Sequence, residues 1–304
     1  IGIGLSFAAG GYLLGVAQDI TAAAGWQDVF FIGGSAAWKL VLLFLGVLGM
    51  LMTIGLLTVR EPRNMSAVAA EKAQQSKAKA ADAASLGEVK RYAKRYWVAI
   101  AALYFGMSLI SLAAYSQGFW DITFLARTYD KDPASISFAY GMVQLFGGLS
   151  GMLFAGIVAD RLSKRGVEAA SVIMVIIGAG IATPFSFLYP LADSSSTALA
   201  LMVIAIFGSN MGFACAASAI QRMFPGSMLG LAAGIYFFVS NAVGIGIGPT
   251  AVAAITDYLF QDAEMIRYSL AAVGGISRAL AFVLVLLGFR AYRNLLRDME
   301  QRGA

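Results

Sequence analysis

The sequence predicts an all-α integral membrane protein. Of its 304 residues, 59% are hydrophobic and only 13% are charged, and the mean hydropathy is +0.75. Soluble domains carry about 25% charged residues, so the shortfall indicates a chain that lies in a bilayer. The apolar residues also fall into runs of about twenty, the length that crosses the hydrocarbon core as a helix. Because lipid offers the backbone no hydrogen-bond partners, each run must form a helix.

Eight such runs define the predicted spans. In chain order they are 1–18, 38–58, 97–119, 136–158, 170–191, 198–220, 229–256 and 268–289. A long polar connection, 59–96, separates the first two spans from the other six. This division suggests a protein of six plus six spans of which the first four are absent, and the start at Ile1 inside an apolar run agrees with a fragment.

The connection 59–96 has three parts. Arg60-Glu61-Pro62-Arg63 stops the second span, and 66–84 is rich in Ala, Lys and Gln without an apolar face, which is typical of a linker. Ser85-Leu86-Gly87-Glu88 has the spacing of a capping box. It opens a basic amphipathic piece, Val89 to Trp97, that we expect to lie on the cytoplasmic membrane surface. A plain charged tether is the alternative.

The distribution of charge predicts the orientation. If the spans alternate across the membrane, one side receives 59–96, 159–169, 221–228 and 290–304. These segments hold 17 of the 22 Lys and Arg residues but only 8 of the 17 acids. An excess of positive charge marks the cytoplasmic side, so we expect the C-terminus there. The four tryptophans fall at predicted span ends or in the outer connection, where indoles are favoured: Trp26, Trp38, Trp97 and Trp120.

The composition excludes several kinds of site. The chain contains no histidine and a single cysteine, Cys215. Histidine-ligated haem or zinc and catalytic histidines are therefore excluded, and no disulfide can form within the chain. We expect no metal, no cofactor and no nucleic-acid partner, and a monomer in the bilayer.

One charged turn resembles a known signature. Gly156-x-x-x-Asp160-Arg161-x-x-Lys164-Arg165 lies between the second and third spans of the six-span group. This pattern at this place resembles the signature hairpin of the major facilitator superfamily, in the copy found in the second half. The resemblance implies the major facilitator fold. Residues 1–58 would then be the last two helices of the N-terminal bundle, 59–96 the linker, and 97–304 the complete six-helix C-terminal bundle with its tail.

Bacterial Spinster-like members of that superfamily give a closer resemblance. Trp38-Lys39-Leu40-Val41 and Thr58-Val59-Arg60-Glu61-Pro62 look like the end of their first half, and Arg267-Tyr268-Ser269-Leu270-Ala271 fits before the last span. Tyr236-x4-Asn241-x2-Gly244-x-Gly246-x-Gly248-Pro249-Thr250, followed by Thr256-Asp257, looks like their eleventh span. One departure is Met228-Leu229-Gly230, where these proteins usually have an arginine.

The resemblance implies a secondary transporter in the bacterial inner membrane that works by alternating access. It implies a small organic or amphipathic, lipid-like substrate and coupling to protons. The coupling residues usually credited in the first half would lie in spans that this sequence does not contain.

Several polar side chains are candidates for a substrate-lining face. Polar groups avoid lipid and face protein or a water-filled cavity. Tyr104, Ser108, Ser111 and Tyr115 share one helical face through steps of four, three and four. Further candidates are Gln144, Asn210, Tyr236 and Asn241. For all of them, hydrogen bonds that only join helices are the alternative.

Two other sets of residues have predicted mechanical roles. We expect Gly244, Gly248 and Pro249 to let a helix flex or pack closely, because Pro249 removes a backbone donor. A nucleotide-binding loop is excluded there, since no strand precedes it. In the hairpin, Gly156, Asp160, Arg161 and Arg165 are candidates for a gate, with Asp160 facing the start of the first span near Ile1–Gly4; interfacial anchoring is the alternative.

Arg278 has no such explanation. It lies mid-span, where a charge is costly, and it could pair, extend to the interface or mark a shifted boundary. No acid is an evident partner. With no mid-membrane acid, a lipid-modifying enzyme has little acid–base chemistry available, and no channel filter is visible. A secondary transporter is the leading hypothesis; an integral-membrane lipid-modifying enzyme, a channel or a non-transporting scaffold remain alternatives.

Overall fold

The computed structural model describes residues 2–23, 37–57 and 86–301, and these residues form helices joined by short turns. The helices are α1 Gly2–Ala23, α2 Ala37–Leu57, α3 Leu86–Arg95, α4 Trp97–Thr128, α5 Pro133–Lys164, α6 Ala170–Leu188, α7 Ser195–Met223, α8 Leu229–Phe260 and α9 Ile266–Gln301. The predicted all-α membrane fold is confirmed, with no strand among the described residues.

Seven of the described helices are long and apolar enough to cross a membrane, namely α2 and α4–α9. The first predicted span, 1–18, is also helical as α1, but α1 is not among those seven. Its small and polar residues, Ser6, Tyr12, Gln18 and Asp19 included, dilute the apolar character. That α1 crosses the bilayer therefore stays a prediction.

Several helices continue past the ends of the predicted membrane spans. The helix α4 continues to Thr128 instead of residue 119, and α9 continues to Gln301 instead of residue 289. A helix propagates past the end of an apolar run when its neighbours supply contacts. The extension brings Asp121 inside the bundle, where its side chain is 2% exposed.

Glycines set how closely the helices pack. The helices α6 and α7 meet where Gly208 faces the backbone of Gly178 and Ala182; a Cβ at Gly208 would lie 2.6 Å from the Gly178 carbonyl oxygen. Gly151 of α5 meets the Phe207 carbonyl of α7 in the same way. Packing of this kind substitutes for hydrophobic driving force between helices in lipid.

Buried apolar residues form two clusters, and α9 contributes to both. One cluster includes Ala281 and Val285 of α9 and the other includes Leu270 and Val273. Arg278 lies between these positions and is 2% exposed. The interior of the bundle is therefore divided near its middle by a polar layer.

The connection before α4 is helical where it is described. The basic piece predicted over Val89–Trp97 is helical as α3, Leu86–Arg95, and the single residue Tyr96 separates it from α4. The Tyr92 hydroxyl donates to the carbonyl of Met223, and the Arg95 guanidinium lies 3.1 Å from the Asp298 carboxylate. One face of α3 thus contacts the bundle, while Lys90, Arg91 and Lys94 are exposed. Its position on a membrane surface stays a prediction.

Several predicted features lie outside the described residues. They are Ile1, Trp26, the stop signal Arg60–Arg63 and the linker 66–84.

Candidate functional site

A central cavity of about 710 Å³ opens between α1 and the six-helix group α4–α9. Phe7 reaches it from α1 and packs edge-on against Tyr140 of α5, with ring centroids 5.1 Å apart. The apolar part of the wall also includes Phe119, Met152, Phe213, Phe237 and Ile245. The polar side chains of the wall come from α4, α5, α7, α8 and α9, so the cavity is shaped by helices far apart in sequence.

Six of the eight predicted lining residues border this cavity: Ser111, Tyr115, Gln144, Asn210, Tyr236 and Asn241. Several of them are hydrogen-bonded to each other or to backbone. The hydroxyls of Ser111 and Ser240 are 2.7 Å apart, and the amides of Asn210 and Asn241 each donate to the carbonyl four residues earlier. They are therefore satisfied polar groups on a cavity wall, and their contact with a substrate stays a prediction.

Tyr104 and Ser108 are placed elsewhere, which corrects the single lining face predicted for α4. The Tyr104 hydroxyl donates to the carbonyl of Ala232 at 2.8 Å, and its ring packs against Tyr236. Ser108 borders an apolar groove between α4 and α9, and its hydroxyl donates to the Tyr104 carbonyl. Neither residue borders the central cavity. The four residues share a face, but that face extends about 16 Å along the helix, so its two ends meet different neighbours.

The polar end of the cavity joins Gln144 and Arg278 to residues that the sequence analysis did not name, Asp121, Tyr140 and Tyr189 among them. Asp121 accepts a hydrogen bond of 2.7 Å from the Tyr189 hydroxyl, and the Tyr140 hydroxyl faces the same carboxylate. Tyr140 in turn accepts from the Gln144 amide at 2.6 Å. Arg278 lies across from them and donates to the hydroxyls of Ser209 and Ser186. The sequence analysis places no acid within a span, whereas Asp121 is a buried acid that borders the same cavity.

The sequence contained a signal for this acid. Gln117 and Asp121 are four residues apart and share a helical face if α4 runs past residue 119. A span that ends at residue 119 leaves Asp121 outside the helix and does not show this pattern. The proximity of Asp121 to Arg278 cannot be predicted from the sequence, because it depends on how α4 and α9 are rotated where they pack.

The helix α8 is interrupted by two π-helical segments, Ala242–Ile247 and Ile255–Phe260. Its glycines pack closely on α4: a Cβ at Gly248 would lie 2.8 Å from the Leu112 carbonyl oxygen. The indole nitrogen of Trp120 donates to the Pro249 carbonyl at 2.9 Å. Close packing is thus the observed role of this stretch, and flexing stays a prediction; π segments are frequent at functional sites.

We expect Gly248→Ala to lower the melting temperature in detergent, because the added methyl group meets backbone that cannot turn away. Overpacking of this kind costs about 1–3 kcal/mol. Gly246→Ala is the matched control, since a Cβ there has nothing within 4 Å. Equal melting temperatures for the two variants would contradict the close packing.

The charged hairpin lies at the end of α5. The helix ends at Lys164, and Gly166 adopts the left-handed conformation, with φ +82°, that reverses the chain. Asp160, Arg161 and Arg165 are exposed. The predicted contact of Asp160 with the start of α1 is not found at Gly4, whose Cα faces Leu145. That position is about 22 Å before Asp160 along the helix, so the first turn of α1 reaches only the middle of α5.

No group of three or more potential metal ligands occurs in the part of the chain that the structure describes.

Comparison with known proteins places this architecture in a family. A sequence model of the Major Facilitator Superfamily matches residues 1–249 and also 118–298. A curated relative, an MFS-type efflux pump of Mycolicibacterium smegmatis (strain ATCC 700084 / mc(2)155), is 27% identical over 157 residues. That alignment covers 52% of this chain and 36% of the relative, so the chain matches only about a third of the pump's length.

Two solved structures have a similar fold. Both are of a bacterial homolog of the human lysosomal transporter Spinster, in inward-facing conformations. The unoccupied one superposes with a TM-score of 0.63 at 16% identity, covering 99% of this chain and 69% of that one. The occupied one gives 0.64 at 16% identity, covering 97% and 66%. The fold resemblance predicted from the hairpin and the eleventh-span pattern is confirmed. Because the family model matches residues 1–249 and 118–298, which together cover nearly the whole chain, the chain belongs to the Major Facilitator Superfamily.

Proposed function

We propose that this chain is part of a secondary active transporter that moves a small organic or amphipathic substrate by alternating access. The observation that carries the proposal is the central cavity, which lies between α1 and the six-helix group and has both apolar and polar walls. A site at the interface of two helix groups becomes accessible from alternate sides when one group rocks against the other. The efflux-pump relative supports transport as the activity.

We also propose that transport is coupled to protons and that the protein works as a monomer. The excess of Lys and Arg on one side supports a multi-pass arrangement in the bacterial cytoplasmic membrane with the C-terminus inside. Buried ionisable residues within membrane helices often carry protons, and Asp121 is such a residue in this chain.

A lipid-modifying enzyme is the second candidate, and Asp121 is the observation in its favour, since it supplies an acid that the sequence had seemed to lack. The family favours transport. Conversion of a lipid substrate by the purified protein would support the enzyme instead. If the protein showed no conversion and no uptake, a non-transporting scaffold would be the remaining alternative.

The test is uptake into proteoliposomes that contain the protein at its full natural length. Three probes differ in charge: ethidium, a fluorescent lysophosphatidylcholine and fluorescently labelled dodecanoate. We expect saturable accumulation of at least one probe under an imposed pH gradient, and its loss when a protonophore collapses the gradient. Accumulation that survives the protonophore would overturn proton coupling, and no accumulation of any probe would count against a transporter of amphiphiles.

We further propose that the Asp160 carboxylate is part of a gate at the cytoplasmic end of α5, although the first turn of α1 does not reach it. We therefore expect Asp160→Asn to lower the uptake rate while leaving expression and folding intact. A loss of about tenfold corresponds to 1.4 kcal/mol at the gating step. Asp193→Asn makes the same chemical change at an exposed acid that follows α6 and should leave uptake unchanged. Unaltered uptake in Asp160→Asn would support simple anchoring of the hairpin.

A further inference from the structure

The polar end of the central cavity contains a guanidinium with unused donors. Arg278 is 2% exposed, and its Nε and Nη1 donate to the hydroxyls of Ser209 and Ser186, at 3.1 and 2.7 Å. Both acceptors are neutral, and a guanidinium has five N–H donors. Arg278 borders the cavity. A buried cation that is only partly satisfied therefore faces the space that a ligand would occupy.

A second donor next to it has no partner. The amide nitrogen of Gln117 is buried and meets no acceptor within the described part of the chain, although the residue borders the cavity. A Cβ on Gly274 would lie 2.7 Å from this nitrogen and 3.7 Å from Nη1 of Arg278, so both nitrogens lie beside the same point on α9. A buried donor without an acceptor is destabilising, because it has lost its hydrogen bonds to water. An oxyanion would satisfy both nitrogens at once.

Asp121 is the third member of this arrangement. The titratable and charged groups that face its carboxylate are Tyr140 of α5, Tyr189 after α6, and Arg278 of α9. Although Asp121 and Arg278 are both described and interact electrostatically, none of their nitrogen and oxygen atoms form an ion pair within 4.0 Å. The positive charge of Arg278 and the negative charge of Asp121 offset each other without direct contact, and a gap remains between the two groups.

An anion that entered this gap would place a second negative charge beside the carboxylate. Two like charges that share a desolvated site cannot both stay ionised, so one group takes up a proton. Tyr189 donates its hydroxyl hydrogen to Asp121 at 2.7 Å and can instead accept one, since a phenol does both. Asp121 can therefore be held in either protonation state.

Resting on the proposed transport function, we propose that Arg278 and Gln117 bind the anionic head group of an amphiphile and that Asp121 takes up one proton when the anion binds. The head group is a carboxylate or a phosphate, since each offers two or more acceptor oxygens. The hydrocarbon tail lies along the apolar wall that includes Phe119, Phe213 and Phe237. Charge in the buried site is then the same before and after binding, so the loaded cavity carries no additional buried charge.

The test is equilibrium binding of octanoate to the purified full-length protein in a neutral detergent. Calorimetry in two buffers of different ionisation enthalpy measures the protons taken up. Octanol is the uncharged counterpart, and acetate has the head group without the tail. We expect octanoate to bind about tenfold or more tighter than either, with about one proton taken up per octanoate bound.

Three variants separate the roles. We expect Arg278→Gln to lose the preference for octanoate over octanol, and Asp121→Asn to bind octanoate without proton uptake. Gln117→Leu should lower the affinity for octanoate and leave the affinity for octanol unchanged. This variant leaves no buried charge without a partner, so it keeps the test valid if Arg278→Gln fails to fold. Arg293→Gln is the matched control, an exposed arginine of the same helix.

Octanoate binding without proton uptake in the unaltered protein would overturn the inference, as would an unchanged preference in a folded Arg278→Gln or Gln117→Leu. If acetate bound as tightly as octanoate, the inferred amphiphile would be wrong and the ligand would be a small anion. The experiment needs no gradient. A protein that binds octanoate with a proton but transports no probe would refute the proposed function alone, and one that transports without this binding would refute only the inference.

Discussion

Replacing Gly11 by alanine will destabilise the protein and reduce uptake, whereas replacing the adjacent Gly10 by alanine will do neither. A Cβ at Gly11 would lie 2.7 Å from the Phe138 backbone nitrogen and 2.8 Å from the Ala134 carbonyl oxygen. These backbone atoms can move only if α1 and α5 separate. Overpacking costs about 1–3 kcal/mol, and here it acts on the interface beside the central cavity.

The control is chemically identical and one residue away. A Cβ at Gly10 has nothing within 4 Å, and alanine is favoured over glycine in a helix by about 0.8–1 kcal/mol. We therefore expect Gly10→Ala to melt at the same or a higher temperature in detergent. From the other helix, Gly141→Ala should behave like Gly11→Ala, because its Cβ would meet the backbone of Ala8. Equal melting temperatures for Gly10→Ala and Gly11→Ala would show that α1 does not pack on α5 in this way.

The second large effect is expected at the buried charges. We expect Asp121→Asn and Arg278→Met each to destabilise the protein by about 3–5 kcal/mol, because each leaves the other charge buried without compensation. The double variant should lose much less than the two single variants together. Unfolding followed by fluorescence in detergent, analysed as a double-mutant cycle, measures the coupling energy.

A pair on the surface provides the comparison. Arg95 and Asp298 are in direct contact at 3.1 Å, but their side chains are 52% and 39% exposed. Exposed pairs contribute about 0–1 kcal/mol, so the cycle of Arg95→Met and Asp298→Asn should give a small coupling energy. Additive losses at Asp121 and Arg278 would mean that Asp121 carries no charge in the empty protein, and would contradict the balance on which anion binding depends.

The candidate site could be predicted only in part. Polar side chains inside apolar spans stood out, and six of the eight chosen residues border the central cavity. Tyr104 does not border the cavity, because a tyrosine can face another helix as readily as a cavity, and its hydroxyl donates to the Ala232 carbonyl. The sequence analysis does not name Asp121, because the predicted span ends at residue 119. In a membrane bundle the same charge is tolerated inside, once tyrosine hydroxyls and an arginine surround it.

The sequence by itself determined the class of fold and the order of the spans. A run of about twenty apolar residues has few structural options in lipid, where the backbone must satisfy its own hydrogen bonds. The charged hairpin and the glycine-rich eleventh-span pattern were sufficient to indicate the family. Only the tertiary structure decided which side chains meet. Asp121, Gln117 and Arg278 come together because α4 and α9 pack at one particular rotation, and that rotation is set by close contacts along their whole length, which no local pattern encodes.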